Sequence, residues 1–198
     1  MNYQRFLRSQ SLMVAAGSVV FPFYLLFIRN IGESYSQFGW AYGLFTLIAA
    51  CSYPLIGKMT DRFGDKKMLL VYTWGMSIVM LIIPITTEIW AIYVIQILMG
   101  FLGAVQKTVE KTALSQHVKR MSHTAGRSIG HYHLWTSISS AAAIIGTGYM
   151  IDFLTIGSLF YLASLMFFTA GIILSRGSKT LSDKAEERQN ADAKTLPF

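Results

Sequence analysis

Cysteine occurs once in this chain, at Cys51 inside an apolar run, so neither a disulfide nor a cysteine metal site is open to it. Charge is scarce: 14% of the 198 residues are Asp, Glu, Lys or Arg, against about 25% in an ordinary soluble domain. No charged residue lies near the middle of any long apolar run. Carboxylates buried in a membrane usually mark proton relays and ion pathways, and none stands at such a position here. A nucleotide-binding glycine loop, a metal-ligand set and a nucleophile elbow are also missing, and nothing points to an enzyme, a metal or a cofactor. No internal sequence repeat is evident, though a three-plus-three structural repeat can hide in such a chain. The start, MNYQRFLRSQ, leads into an apolar core that continues to Ile28 through Pro22 and bulky aromatics. A signal peptide ends sooner, at a small-residue cleavage site, so a retained first span is expected.

What the chain does have is apolar surface, with 53% hydrophobic residues and a mean hydropathy of +0.45. One soluble core of this length could not hide it, so the composition is that of an integral membrane protein rather than a small soluble protein of buried helices. A spanning helix needs about 20 mostly apolar residues. Six segments qualify, at 11–28, 38–57, 68–85, 89–106, 129–150 and 154–175. The fifth is the weakest, being rich in Ser, Thr, Gly and Ala; the sixth contains FLTIGSLFYLASLMFFTAGIIL. The expected fold is all-α, a polytopic six-helix membrane bundle over 1–175. Residues 176–198 form a polar tail, expected to be a disordered cytoplasmic segment, with a short amphipathic helix at 181–189 as a further option.

Basic residues set the orientation. If the N-terminus is cytoplasmic, the inside segments hold Arg5, Arg8, Lys58, Arg62, Lys66, Lys67, Lys107, Lys111, Lys119, Arg120, Arg127 and the five of the tail, which is sixteen of the 17; Arg29 alone is outside. Both termini are therefore expected in the cytoplasm and the protein in the cell membrane. Short outer loops run around Glu33, Glu88 and Asp152. The net charge of +7 has its explanation in this topology rather than in nucleic acid as a partner.

One inner loop carries more than topology requires. GKMTDRFGDKK, residues 57–67, packs six charges into eleven positions between the second and third spans. Topology asks for Lys and Arg there, but not for Asp61 or for glycines. Gly57 and Gly64 suit a tight turn between helices, and Asp61 with Arg62 sets an acceptor beside a donor fork. Gly57, Asp61, Arg62, Gly64, Lys66 and Lys67 together resemble the signature loop of the major facilitator superfamily, roughly G-x-L-A-D-R-x-G-R-R-K, in the same place between second and third helices. Asp65 departs from it, since a basic residue is usual there. The Pro-containing first span, Gln96 four residues before Gly100, and Gly103-Ala104 extend the resemblance to about residue 175. Gln96 stands where proton-coupled members often carry Arg, and the fifth span reads Gly146-Thr147-Gly148 where many drug antiporters have a Gly-Pro pair.

The resemblance implies a secondary transporter with twelve spans in two six-helix halves, and this sequence supplies six. With both termini on one side, two copies can stand in parallel about a two-fold axis along the membrane normal. Three readings compete: a half-size transporter acting as a homodimer, a half that pairs with a different one, and a truncated piece. The start, the six spans and the polar tail favour a deliberate end. A non-transporting scaffold or regulator is the alternative from another class. In the family the signature Asp faces the start of the fifth helix of the other half, so Asp61 of one copy is expected to meet Arg127 and Ser128 of another, the signature loop serving as part of the inner gate. The site would lie near mid-membrane on the first and fourth spans, with Ser18, Tyr24 and Gln96 as substrate candidates and Tyr42, Thr46, Thr136 and Ser140 as weaker ones. Against each stands an ordinary role in backbone bonding, in the interface belt or in helix packing.

Two further groupings favour structure over chemistry. Glu110, at the inner end of the fourth span, shares a face with Lys107 at i, i+3 and is expected to pair with it, leaving a coupling role as the alternative. The four histidines fall between 117 and 133, but His131 and His133 point to different sides of a helix, and His117 and His123 lie in a basic loop that repels cations. Small-residue pairs such as Ser139/Ala143 and Ala142/Gly146 suit close packing of the fifth span, within the chain or across a dimer.

Overall fold

A computed structural model describes residues 3–31, 34–119 and 125–176, without the side chains of 25, 26 and 29–31. The expectations for Arg29, Glu33, Arg120, His123 and the tail with its amphipathic helix at 181–189 lie outside the described residues. Six long helices account for almost everything described: α1 (Tyr3–Ile31), α2 (Tyr35–Phe63), α3 (Asp65–Ile82), α4 (Ile89–Lys119), α5 (Ala125–Met150) and α6 (Ile156–Arg176). A single 3-10 turn, Ile83–Ile85, carries Pro84 after α3. The fold is all-α, with no strand among the described residues.

Five of these helices, all but α5, are long and apolar enough to cross a membrane. The fifth is 26 residues long but too rich in polar and small residues to join them. Several helices outrun their apolar cores at the end that carries the α2–α3 turn; α4 continues to Lys119. Its polar last turns remain helical because that satisfies the backbone wherever the hydrocarbon ends.

Packing follows a chain of neighbours, α2 on α4, α4 on α3, α3 on α6, α6 on α1 and α1 on α5, with only slight contact of α5 with α4 and of α2 with α1. Three of these seams show a local cause. Gly100 lets α4 come under the Phe45 carbonyl of α2, where a Cβ would collide. Across α3 and α6, the Ser77 hydroxyl donates to the Ser164 carbonyl at 3.1 Å and the Ser164 hydroxyl to the Ser77 carbonyl at 2.7 Å. Gly171 leaves room for Trp74 on that seam, and Tyr72 meets Phe167 edge-on at 5.7 Å. Phe27 of α1 packs on Phe160 of α6 at 4.8 Å. Without a hydrophobic drive between helices in lipid, such close approaches and hydroxyl bonds hold the bundle.

The outer helices of this chain of neighbours are exposed. α2 is the least buried of the five apolar spans, and α5 buries only Tyr132, Thr136 and Thr147. Large apolar side chains such as Trp40, Trp90, Ile145 and Tyr149 face outward, as expected where lipid is the solvent.

Candidate functional site

The signature loop is built on one residue's backbone freedom. Gly64 stands between α2 and α3 at φ 83, ψ 152, a region essentially closed to residues with a Cβ. It breaks the helix in a single residue, while its N–H still donates to the Thr60 carbonyl at 2.8 Å. The turn presents Asp61 and Arg62 on the last turn of α2, both exposed. Among the described residues Asp61 has no ion-pair partner, and Arg62 lies over the Phe63 ring at 5.5 Å. Gly57, seven residues earlier, is half-buried with open space around its Cα.

The start of α3 is anchored. The Thr112 hydroxyl of α4 donates to Asp65 Oδ1 at 2.7 Å. Asp65 therefore holds α3 to α4, and as an anion in the first turn it also suits the helix dipole. Lys66 Nζ approaches the Ser175 carbonyl at the end of α6, at 3.5 Å, where a cation is favoured; Lys67 is exposed. A cavity of about 320 Å³ adjoins this turn, lined by Tyr3, Phe6, Gly64, Lys66, Gln116 and His117, among others.

The start of α5 is held by tyrosines. Tyr3 donates to the Ser128 carbonyl at 3.3 Å and stacks on His117 at 3.8 Å. Tyr132, fully buried, donates to Glu110 Oε1 at 2.8 Å and stacks on Phe6. The expected Lys107–Glu110 pair does not form among the described residues; Glu110 turns to α5 instead, where a hydroxyl is already fixed in a buried position. Arg127 is exposed and not paired with Asp61 of its own chain.

At mid-depth, α1 and α5 frame an open groove of about 300 Å³ lined by Val14, Thr136, Ser137, Ser140, Ala141 and Ile144. Beside it the Ser18 and Ser140 hydroxyls bond at 2.6 Å. Thr136 is committed to backbone carbonyls of its own helix. Tyr24 turns its hydroxyl into the bundle, edge-on to Phe160, without a hydrogen-bond partner among the described residues. Gln96 is buried on α4, and Thr46 bonds back to the Tyr42 carbonyl. Of the substrate candidates, Ser18 and Ser140 are the two that the structure joins across helices.

The Major Facilitator Superfamily profile matches residues 9–197, nearly the whole chain. The chain belongs to that superfamily. It is 42% identical over 164 residues to YitZ, an uncharacterized MFS-type transporter of Bacillus subtilis (strain 168), covering 83% of this chain and 99% of that protein. It is 36% identical over 94 residues to the multidrug resistance protein MdtG of Proteus mirabilis (strain HI4320), covering 45% of this chain and 23% of MdtG. With MdtG of Klebsiella pneumoniae (strain 342) it shares 25% identity over 159 residues, covering 78% of this chain and 38% of that relative. The chain thus spans only a quarter to two-fifths of the MdtG proteins, while YitZ is no longer than the chain itself. No solved structure matches it. These relatives are named as transporters or resistance proteins, and the multi-pass membrane character follows from the superfamily and the apolar helices.

Within this superfamily member, sequence reasoning missed Thr112 as the partner of Asp65, Tyr132 as the partner of Glu110, and Tyr3 as a clamp on α5. Each is a hydroxyl meeting another helix 22 to 125 positions away. No spacing within one helix encodes such a meeting.

Proposed function

We propose that this chain is one half of a major-facilitator secondary transporter in the cell membrane, both termini cytoplasmic, acting as a homodimer by alternating access. One observation carries the reading. α5 is long enough to cross the bilayer, too polar to be counted among the apolar spans, and exposed along most of its length. Such a helix is poorly matched to lipid and well matched to a second bundle or a wet pathway. Two parallel copies related by a two-fold axis would cover it and complete twelve spans. YitZ, named an MFS-type transporter, is matched over 99% of its length by 164 residues of this chain.

In this arrangement Asp61 of one copy faces the start of α5 in the other, near Arg127 and Ser128. The positive end of the α5 helix dipole favours a carboxylate there. Gly57, Arg62, Gly64, Lys66 and Lys67 shape and anchor that inner gate. Ser18, Tyr24 and Gln96 are the substrate candidates, of which Ser18 borders the α1–α5 groove. The two-fold axis doubles the groove, giving a site lined by hydroxyls and aliphatic groups without an ionisable side chain. It suits an uncharged amphipathic solute, consistent with resistance proteins among the relatives.

The test is purified protein in vesicles. Mass in mild detergent should be that of a dimer, and loaded vesicles should show counterflow of an uncharged amphipathic dye. A strict monomer that moves nothing would favour a non-transporting scaffold.

A further inference from the structure

The α1–α5 groove presents more hydrogen-bonding groups than its own walls satisfy. Ser18 of α1 and Ser140 of α5 bond at 2.6 Å. Two hydroxyl protons meet there, and the bond uses one. Whichever serine donates, the O–H of the other finds no acceptor among the described residues. Hydroxyls on membrane helices can bond back to a carbonyl of their own helix, as Thr136 and Thr147 do on α5. Among the described residues neither Ser18 nor Ser140 does so. Ser137, three residues before Ser140 on the same wall, is exposed and likewise without a hydrogen bond among the described residues.

The backbone of α1 adds an acceptor. Pro22 lies inside this helix, and its nitrogen carries no hydrogen, so the carbonyl four residues earlier lacks its helical donor. That carbonyl belongs to Ser18. No side chain among the described residues donates to it. Val14, which lines the groove, is followed at i+4 by Ser18 and at i+8 by Pro22, all on one face of α1. The freed carbonyl and the spare hydroxyls therefore flank one groove. The rest of the lining is apolar, Val14, Ala141 and Ile144, with Thr136 committed to its own helix. Apolar walls with a few placed polar groups are the usual make-up of a small-molecule site. At mid-depth in a bilayer little water is at hand to satisfy such groups, so a ligand that satisfies them is favoured.

We propose that the groove selects solutes with an uncharged hydrogen-bond donor, an alcohol or amide, on an apolar body, the Ser18 carbonyl and the Ser18–Ser140 pair being the specificity-determining groups. A carbonyl only accepts, so it demands a donor. A hydroxyl gives or takes, so the spare O–H meets the oxygen of the alcohol or amide whose own proton meets the carbonyl. An ether or a fully alkylated amide of similar shape accepts but cannot donate, and it leaves the carbonyl unmatched. An ammonium donates, but no carboxylate lines the groove to match its charge. The inference rests on the reading of this groove as the substrate site and adds the hydrogen-bonding class of the substrate.

Dansylamide and its N,N-dimethyl derivative share a fluorophore, and only the first has sulfonamide N–H donors. Energy transfer from the tryptophans, with Trp135 on α5 next to Thr136, reads saturable binding to the full chain in vesicles. Each dissociation constant is referred to the probe's concentration in the bilayer, which removes the difference in partitioning. The parent should bind dansylamide about two- to tenfold more tightly than the dimethyl probe, the span of one ordinary hydrogen bond. Ser18→Ala with Ser140→Ala should shrink that ratio. Pro22→Ala, which returns an N–H to the Ser18 carbonyl, should bring it close to one, and Ser139→Ala should leave it unchanged. A loss of packing alone would weaken both probes together and keep the ratio. Equal binding of the two probes by the parent would overturn the proposal. So would the lack of saturable transfer from either, or a preference that survives both Pro22→Ala and the serine pair. A preference for dansylamide without counterflow would strike the transporter reading alone; counterflow of both probes at equal rates with no preference would strike the donor rule alone.

Discussion

Gly64 shows how one residue can carry a motif. Its φ of 83 and ψ of 152 let α2 end and α3 begin with no loop between them, so the motif glycine is a steric requirement of the turn. Gly64→Ala should cost about 1–3 kcal/mol, read as a lower thermal midpoint in detergent, whereas Gly57→Ala, with open space at its Cβ position, should be close to neutral. Asp65 is a residue where departure from the family pattern has a physical account. Its carboxylate is fixed by Thr112, and hydrogen bonds to charged groups contribute about 1.5–3 kcal/mol. Asp65→Ala and Thr112→Val should each destabilise, and the double variant should cost less than the sum of the two. Additive losses in that cycle would mean that the bond contributes nothing of its own.

At the scale of helices, the two faces of α4 differ in kind. One face meets α2 through Gly100, where the backbones themselves approach; Gly100→Ala should push against the Phe45 carbonyl and cost about 1–3 kcal/mol. The other end meets α5 through a single hydroxyl, Tyr132. The α3–α6 seam lies between these extremes. Interhelical hydrogen bonds in membranes average about 0.6 kcal/mol, so Ser77→Ala should lower the thermal midpoint only slightly. The apolar runs made six helices legible because a membrane demands long apolar segments, and the glycine and Asp–Arg spacing made the signature turn legible because its backbone admits little else. Helix ends were not legible: α4 continues to Lys119, well past the end of its apolar segment, since the polar extension stays helical outside the hydrocarbon. Nor were the hydroxyl partners, because Thr112, Tyr132 and Tyr3 acquire them only when distant helices come side by side. Ser18 was legible as a polar group at mid-depth but not as half of a pair with Ser140.

For the whole molecule, the chain of contacts leaves α2 and α5 at its two ends, and both are exposed. The signature turn ends α2, and the tyrosine-clamped segment begins α5. A two-fold axis beside these helices would bring the end of α2 in one copy to the start of α5 in the other, twice over. In such a dimer function would depend on the second copy, and a variant such as Asp61→Asn should lower counterflow severalfold without altering the thermal midpoint of the bundle. The most direct test of this account is a disulfide between copies. Asp61→Cys and Ser128→Cys, carried on separately tagged Cys51→Ser chains and co-expressed, should oxidise to a crosslinked species bearing both tags. Crosslinks confined to one chain, or none under conditions where the protein migrates as a dimer, would contradict it.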